Sequence, residues 1–172
     1  MKDIIITGPK HSGKTNAGKA AASMYSLEFI DLDELIFQKT GKSPRELFNI
    51  SQDIFRKAET EAVSVLFAAN EKNQWRIIAA GGGIIDNPEA AAIIKKADAI
   101  TVYLNISADC ACDRIEKEDL PPFLKTENPK ETHRALHEHR AAAYARLADI
   151  IIKAEGKNPL EIAAEIMEIL SS

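Results

Sequence analysis

The chain is poor in sulfur and in aromatic rings: of 172 residues two are cysteine, one is tryptophan and 6% are aromatic. Cys110 and Cys112 form a C-x-C pair with no second pair to complete a four-ligand zinc site, so both thiols read as buried or idle. No apolar run approaches the ~18 residues that span a bilayer, which argues against a membrane partner. The opening "MKDIIITGPK" has too short an apolar run for a secretory signal, and the expectation is a cytoplasmic protein. Positive charge is also scarce. Lys and Arg number 22 against 26 Asp and Glu, a net charge of −4 and a pI near 5.6, which argues against a nucleic-acid partner. An anionic small molecule would have to be met by locally placed arginines instead. There is no internal repeat, linker or low-complexity segment, so residues 1–172 are expected to form one domain, working as a monomer.

What the chain does have is a regular alternation. Short β-branched runs at residues 4–7, 27–33, 76–80, 99–104 and 149–153 are apolar without a period of two, as buried parallel strands are. Helical patterns lie between them, at 14–25, across the region 33–69, and at 88–95, 108–116 and 129–147. A last helix is opened by Asn158 and Pro159. The pattern predicts a three-layer α/β/α fold around a five-stranded parallel sheet. Ligands in such sheets gather at the carboxyl ends of the strands. That places weight on residues 8–15, 31–33 and 81–83, each of which follows a predicted strand.

The first of these, "GPKHSGKT", is a phosphate-binding loop: Gly8, Gly13, Lys14 and Thr15 match G-x-x-x-x-G-K-[ST] between a strand and a helix. Glycines let the backbone turn its N–H groups inward, and the helix N-terminus adds its positive dipole end. Lys14 brings a full charge to the outer phosphates and Thr15 a hydroxyl ligand for Mg²⁺. Gly18, on the following helix, is expected to allow close packing on the sheet. No N-K-x-D base-reading motif is present, which argues against a GTPase.

In "FIDLDEL", Asp31 and Asp33 stand two apart at a strand end, where both carboxylates can face one side. The third strand ends in "AAGGG" without an acidic residue, so Asp31 is the natural partner for Mg²⁺. Asp33 is then available as a base toward an acceptor hydroxyl. Gly81, Gly82 and Gly83 expose backbone N–H groups where a substrate could approach closely. Arg56, with Glu59 three residues on, and Arg140 each lie on a predicted helix.

Taken together, "GPKHSGKT", "FIDLDELI", "TGKSPRELF", "FRKAE", "AAGGGII", "VYLNIS" and "HRAAAYARLADIII" resemble the shikimate kinase family, in order and across nearly the whole chain. The resemblance implies a P-loop kinase fold of the nucleoside-monophosphate-kinase type and transfer of a phosphoryl group from ATP, with Mg²⁺, to the 3-hydroxyl of shikimate. It assigns Gly8, Pro9, Lys10, His11, Ser12, Gly13, Lys14, Thr15, Arg114 and Lys157 to the nucleotide, and Thr15 and Asp31 to the metal. Asp33 receives the base role and, with Arg56, Arg140, Gly81, Gly82 and Gly83, the acceptor. Lys14 and Asp33 are the catalytic pair. An acceptor-binding region at about 33–60 and a lid at about 113–127 follow, with Phe48, Phe55, Pro122 and Phe123 as apolar walls and Glu59 bridged to Arg56.

The sequence departs from that family in two places. Pro121 stands where the lid has an arginine over the ATP phosphates, and Ser51-Gln52 replaces a Gly-Glu pair with one residue fewer. Two alternatives therefore stay open: a kinase of this fold for another hydroxylated acid such as gluconate, or a weakly active nucleotide-binding regulator. His133 and His137 have the i, i+4 spacing of a metal pair, but with no third ligand they and His139 read as a solvated helix face.

Overall fold

The computed structural model describes residues 3–68, 75–115, 124 and 126–171. Five strands, β1 (Asp3–Thr7), β2 (Glu28–Asp31), β3 (Arg76–Ala79), β4 (Ala99–Asn105) and β5 (Ile150–Lys153), form one parallel sheet in the order β2-β3-β1-β4-β5. The central β1 sets Ile5 opposite Ile78 of β3 on one side and Thr101 of β4 on the other. All five of its residues are buried, because helices cover both faces.

Those helices are α1 (Lys14–Tyr25), α2 (Leu32–Thr40), α3 (Pro44–Ile50), α4 (Gln52–Ala68), α5 (Pro88–Lys96), α6 (Ala108–Ile115), α7 (Pro129–Leu147) and α8 (Pro159–Ser171), with a 3-10 turn at Ile84–Asp86. Alternation along β1 separates two cores. Ile4 and Ile6 pack with Ala17 and Ala21 of α1 and Ile162 and Ile166 of α8, whereas Ile5 packs with Leu32, Ile36, Val63, Leu66 and Ile94 of α2, α4 and α5. Gly18 has its expected role, since a Cβ there would lie 2.6 Å from the ring of Phe29.

The helical region expected at 33–69 holds three helices among its described residues, α2, α3 and α4. Gly41 closes α2 in the left-handed conformation, and Ser43 opens α3 with a reciprocal capping box to Glu46 and Pro44 at the first position. The second strand also ends earlier than its apolar pattern predicts. Asp31 caps α2 by accepting from the Asp33 N–H at 3.0 Å, which puts Asp33 in the first helical turn.

At the N-terminal end of the strands, far from the loops of interest, Arg76 clasps Asp3 with Nε at 3.0 Å and a second nitrogen at 2.6 Å and also reaches the Leu66 carbonyl. Both side chains are nearly inaccessible, at 9% and 2% exposure. Removing one partner of a buried pair costs about 3–5 kcal/mol, whereas replacing both with apolar residues is close to neutral. Arg76→Ala is therefore expected to lose that much in urea unfolding, and the double variant Asp3→Leu, Arg76→Met to recover most of it.

Candidate active site

Three loops meet at the carboxyl ends of β1, β2 and β3. The first curls tightly: Gly8 has φ 146°, His11 63° and Gly13 94°, and a Cβ on Gly8 would stand 2.7 Å from the Leu104 carbonyl oxygen. Lys14 folds into the curl and donates to the carbonyls of Gly8 at 3.0 Å and Pro9 at 2.8 Å. Burial lowers its pKa to about 8, against the pull of Asp33 and Asp31. A buried ammonium resting on carbonyl dipoles gains when a phosphate replaces them.

Thr15, one residue on, donates its hydroxyl to Asp31 Oδ2 at 3.0 Å. A threonine hydroxyl and a carboxylate side by side are hard oxygen donors of the kind Mg²⁺ takes. Asp33 faces the same space from α2, and partial burial, followed by the neighbouring Asp31 charge, raises its pKa above the ordinary value.

The glycine turn supplies the floor, and its first two glycines sit in tight space. A Cβ at position 81 would sit 3.0 Å from Asp33 Oδ1 and 3.5 Å from Glu59 Oε1, and one at 82 would sit 3.1 Å from the Lys10 nitrogen. Gly83 has open space around it. Tyr144, stacked on Tyr103 at 5.0 Å, donates its hydroxyl to the Gly82 carbonyl and fixes the turn to α7.

These parts line one cleft of about 740 Å³. From the first loop it takes Lys10, His11, Gly13, Lys14 and Thr15; from the rest, Asp31, Asp33, Arg56, Glu59, Gly81 to Gly83 and Arg140. Phe48 and Phe55 pack edge to face at 6.2 Å and form the apolar wall. Gly8, Pro9 and Ser12 lie in the loop without lining the cleft. The one-residue deletion before Arg56 has not removed it from the site, since Ser51 is extended and α4 begins at once.

Several expectations need correcting. Glu59 is not bridged to Arg56: its Oε2 accepts from Asn87 Nδ2 at 3.0 Å, and its buried Oε1 has no hydrogen-bond partner. Lys157 is not part of this lining and pairs with Glu165 of α8. Arg114 is outside the lining too and donates to the His11 carbonyl at 2.6 Å, so it grips the phosphate loop from behind. His133 is buried, at 7% exposure, and does not belong to a solvated face. Pro121, Pro122 and Phe123, with most of the lid, lie outside the described residues.

Other functional contacts escaped the sequence reading. Asp86 holds Arg140 in an ion pair, and Arg45 is a further cation on the cleft. Asn87 joins Glu59 to the Arg56 carbonyl at 2.9 Å while capping α5. The "NP" pair at Asn87 and Pro88 was the available signal, of the same kind as that at 158 and 159.

Burial raises the pKa of Glu59 to about 7 from the ordinary 4.5. The folded state then keeps a proton that the unfolded chain releases, so stability falls as pH rises from about 4.5 to 7, by a total on the order of 3 kcal/mol. Glu59→Gln, which cannot ionise, is expected to match the parent protein at pH 5 and exceed it at pH 8 in urea unfolding. Parallel pH curves for the two would show that Glu59 does not titrate in this window.

The family profile of shikimate kinase matches residues 10–171. The chain belongs to the shikimate kinase family. A shikimate kinase of Actinobacillus pleuropneumoniae serotype 5b is 30% identical over 172 residues, 99% of this chain and 96% of that one. One from Thermodesulfovibrio yellowstonii is 32% identical, over 98% and 94% of the two chains. Among solved structures, a shikimate kinase from Acinetobacter baumannii in complex with shikimate superposes with a TM-score of 0.89 at 27% identity, covering 99% of this chain and 93% of the other.

Proposed function

We propose that this chain phosphorylates the 3-hydroxyl of shikimate with ATP. The observation that carries the reading is that the phosphate loop lines one cleft together with Asp33, Arg56 and Arg140. Two guanidinium forks are the expected grip for a planar carboxylate in a chain of net charge −4. Polyol hydroxyls would be met by Asp33 and by the backbone of the glycine turn.

Phosphoryl transfer asks the protein mainly for placement and charge. Gly8 to Thr15 wrap the triphosphate, and Lys14 supplies the full charge toward its outer phosphates. Asp33 accepts the proton of the attacking hydroxyl, and its raised pKa makes it a better base than an ordinary aspartate. Thr15 and Asp31 are the residues that would hold Mg²⁺, which when bound neutralises phosphate charge. Arg114 acts on the nucleotide through the loop it grips. The acceptor region at about 33–60 and the lid at about 113–127 are parts of the same kinase domain in this reading.

The test is a coupled ADP-release assay with ATP, Mg²⁺ and, separately, shikimate, quinate and gluconate. Turnover with shikimate alone is the expected result. Preference for another acid would move the acceptor assignment, and ATP binding without turnover on any acid would leave a nucleotide-binding protein.

A further inference from the structure

Cys112 and His133 stand outside the proposed phosphoryl-transfer machinery. Cys112 lies on α6 and His133 on α7, and the thiol Sγ is 3.1 Å from the imidazole Nδ1. The ring is buried, whereas the cysteine is half-buried and reaches the surface. The second group near the sulfur is the Lys130 carbonyl, at 4.0 Å. A buried nitrogen base thus meets the thiol of a half-buried cysteine.

Several positive charges act on this pair. Burial first, then His137, Arg140 and His11, lower the pKa of His133, so its ring stays neutral and can only relay the thiol proton onward, not keep it. Arg134, next along α7, acts on Cys112 with its positive charge, partly offset by its ion pair to Asp109 on α6. A neighbouring guanidinium favours the thiolate, and a neutral imidazole in contact can receive the thiol proton. Cys110, on the same helix, instead packs against the hydrophobic core.

We propose that Cys112, activated by His133, is a modification site for hydroperoxides and small electrophiles, and that its modification weakens nucleotide binding. With hydrogen peroxide, Sγ attacks one oxygen, the S–O bond forms and the O–O bond breaks. Sulfur is oxidised by two electrons to the sulfenic acid, and the peroxide is reduced to water. The thiol proton passes by way of Nδ1 to the departing hydroxide. Cys110 and Cys112 point about 200° apart around the helix, so an internal disulfide would require unwinding and an external thiol must reverse the change.

The link to the nucleotide is the helix itself. Two residues beyond Cys112, Arg114 holds the His11 carbonyl of the phosphate loop at 2.6 Å. A group added to Sγ breaks the 3.1 Å contact that joins α6 to α7 and so shifts α6, and with it that guanidinium. This consequence rests on the proposed ATP site, whereas the reactivity of the thiol does not.

The experiment treats the whole chain with hydrogen peroxide or iodoacetamide, measures labelling of each cysteine by peptide mass spectrometry, and titrates ATP before and after. Cys112 is expected to react at least about tenfold faster than Cys110, and His133→Gln to slow Cys112 alone. Peroxide is expected to weaken ATP binding by about tenfold in the parent protein, dithiothreitol to restore it, and Cys112→Ser to bind ATP normally and ignore peroxide. Equal rates at the two cysteines would overturn the proposal, as would the same peroxide-induced loss in Cys112→Ser. If the untreated protein fails to bind ATP, the functional reading falls while the comparison of cysteine rates still decides the thiol.

Discussion

Asp33→Asn is expected to lower kcat for shikimate phosphorylation by about 10²–10⁴-fold, the usual worth of a positioned general base. The substitution keeps the size of the side chain and leaves the backbone N–H that Asp31 holds at 3.0 Å untouched. It also keeps the contact distance to Gly81, where the carboxylate oxygen already sits 3.0 Å from the place a Cβ would occupy. What it removes is the ability to take the hydroxyl proton. Initial-rate kinetics with an ATP titration alongside would separate the roles. A fall in kcat with ATP affinity preserved is the expected outcome, and a rise in acceptor KM at unchanged kcat would reduce Asp33 to a binding residue.

The sensitivity of that position explains why the glycine turn reads as it does. Asp33 and Glu59 approach Gly81 from different helices, α2 and α4; Glu59 is buried and Asp33 opens on the cleft, and desolvation raises the pKa of both carboxyls. Any side chain at position 81 would push on one or the other. The turn is also pinned from above by Tyr144 and from beside by the first loop, through the short approach of Gly82 to Lys10. The phosphate end and the acceptor end of the cleft are therefore joined by a turn with little room to shift.

Which parts of this were legible in the sequence follows from their physics. The strands were legible because burial on both faces imposes a composition, and β1 with five buried residues is the clearest case. The phosphate loop was legible because backbone curvature and charge fix residue types at fixed spacing. Asp31, Asp33, Arg56 and Arg140 could be singled out and do meet in one cleft. Partner choice was not legible. Glu59 lies one helical turn from Arg56, yet Asn87, 28 residues further on, takes its carboxylate, because the α5 cap delivers that amide into the interior. Spacing along one helix says nothing about what arrives from another. The reading of His133 failed for the same reason, since the presence of α6 against it is a tertiary fact. The break between α2 and α3 is different. Ser43, Pro44 and Glu46 spell a capping box, and a closer reading of "KSPRE" would have found it.

Arg140→Ala is expected to raise the KM for shikimate by about two orders of magnitude while kcat moves much less. Truncating one partner of a hydrogen-bonded charge pair costs about 2–5 kcal/mol, and the lost contact is one the bound acceptor makes throughout the reaction. Arg140→Lys should fall between, because an ammonium retains the charge and loses the planar fork. The fold is expected to survive either change, since Tyr144, four residues along α7, still ties the helix to the Gly82 carbonyl. Asp86 sharpens the test. It already pairs with Arg140, so the acceptor carboxylate binds a guanidinium whose charge is partly spent. Asp86→Asn should accordingly tighten shikimate binding in a chain with Arg140 and do nothing in one with alanine there. A double-mutant cycle in acceptor KM measures that coupling, and an additive result would place the substrate carboxylate away from Arg140.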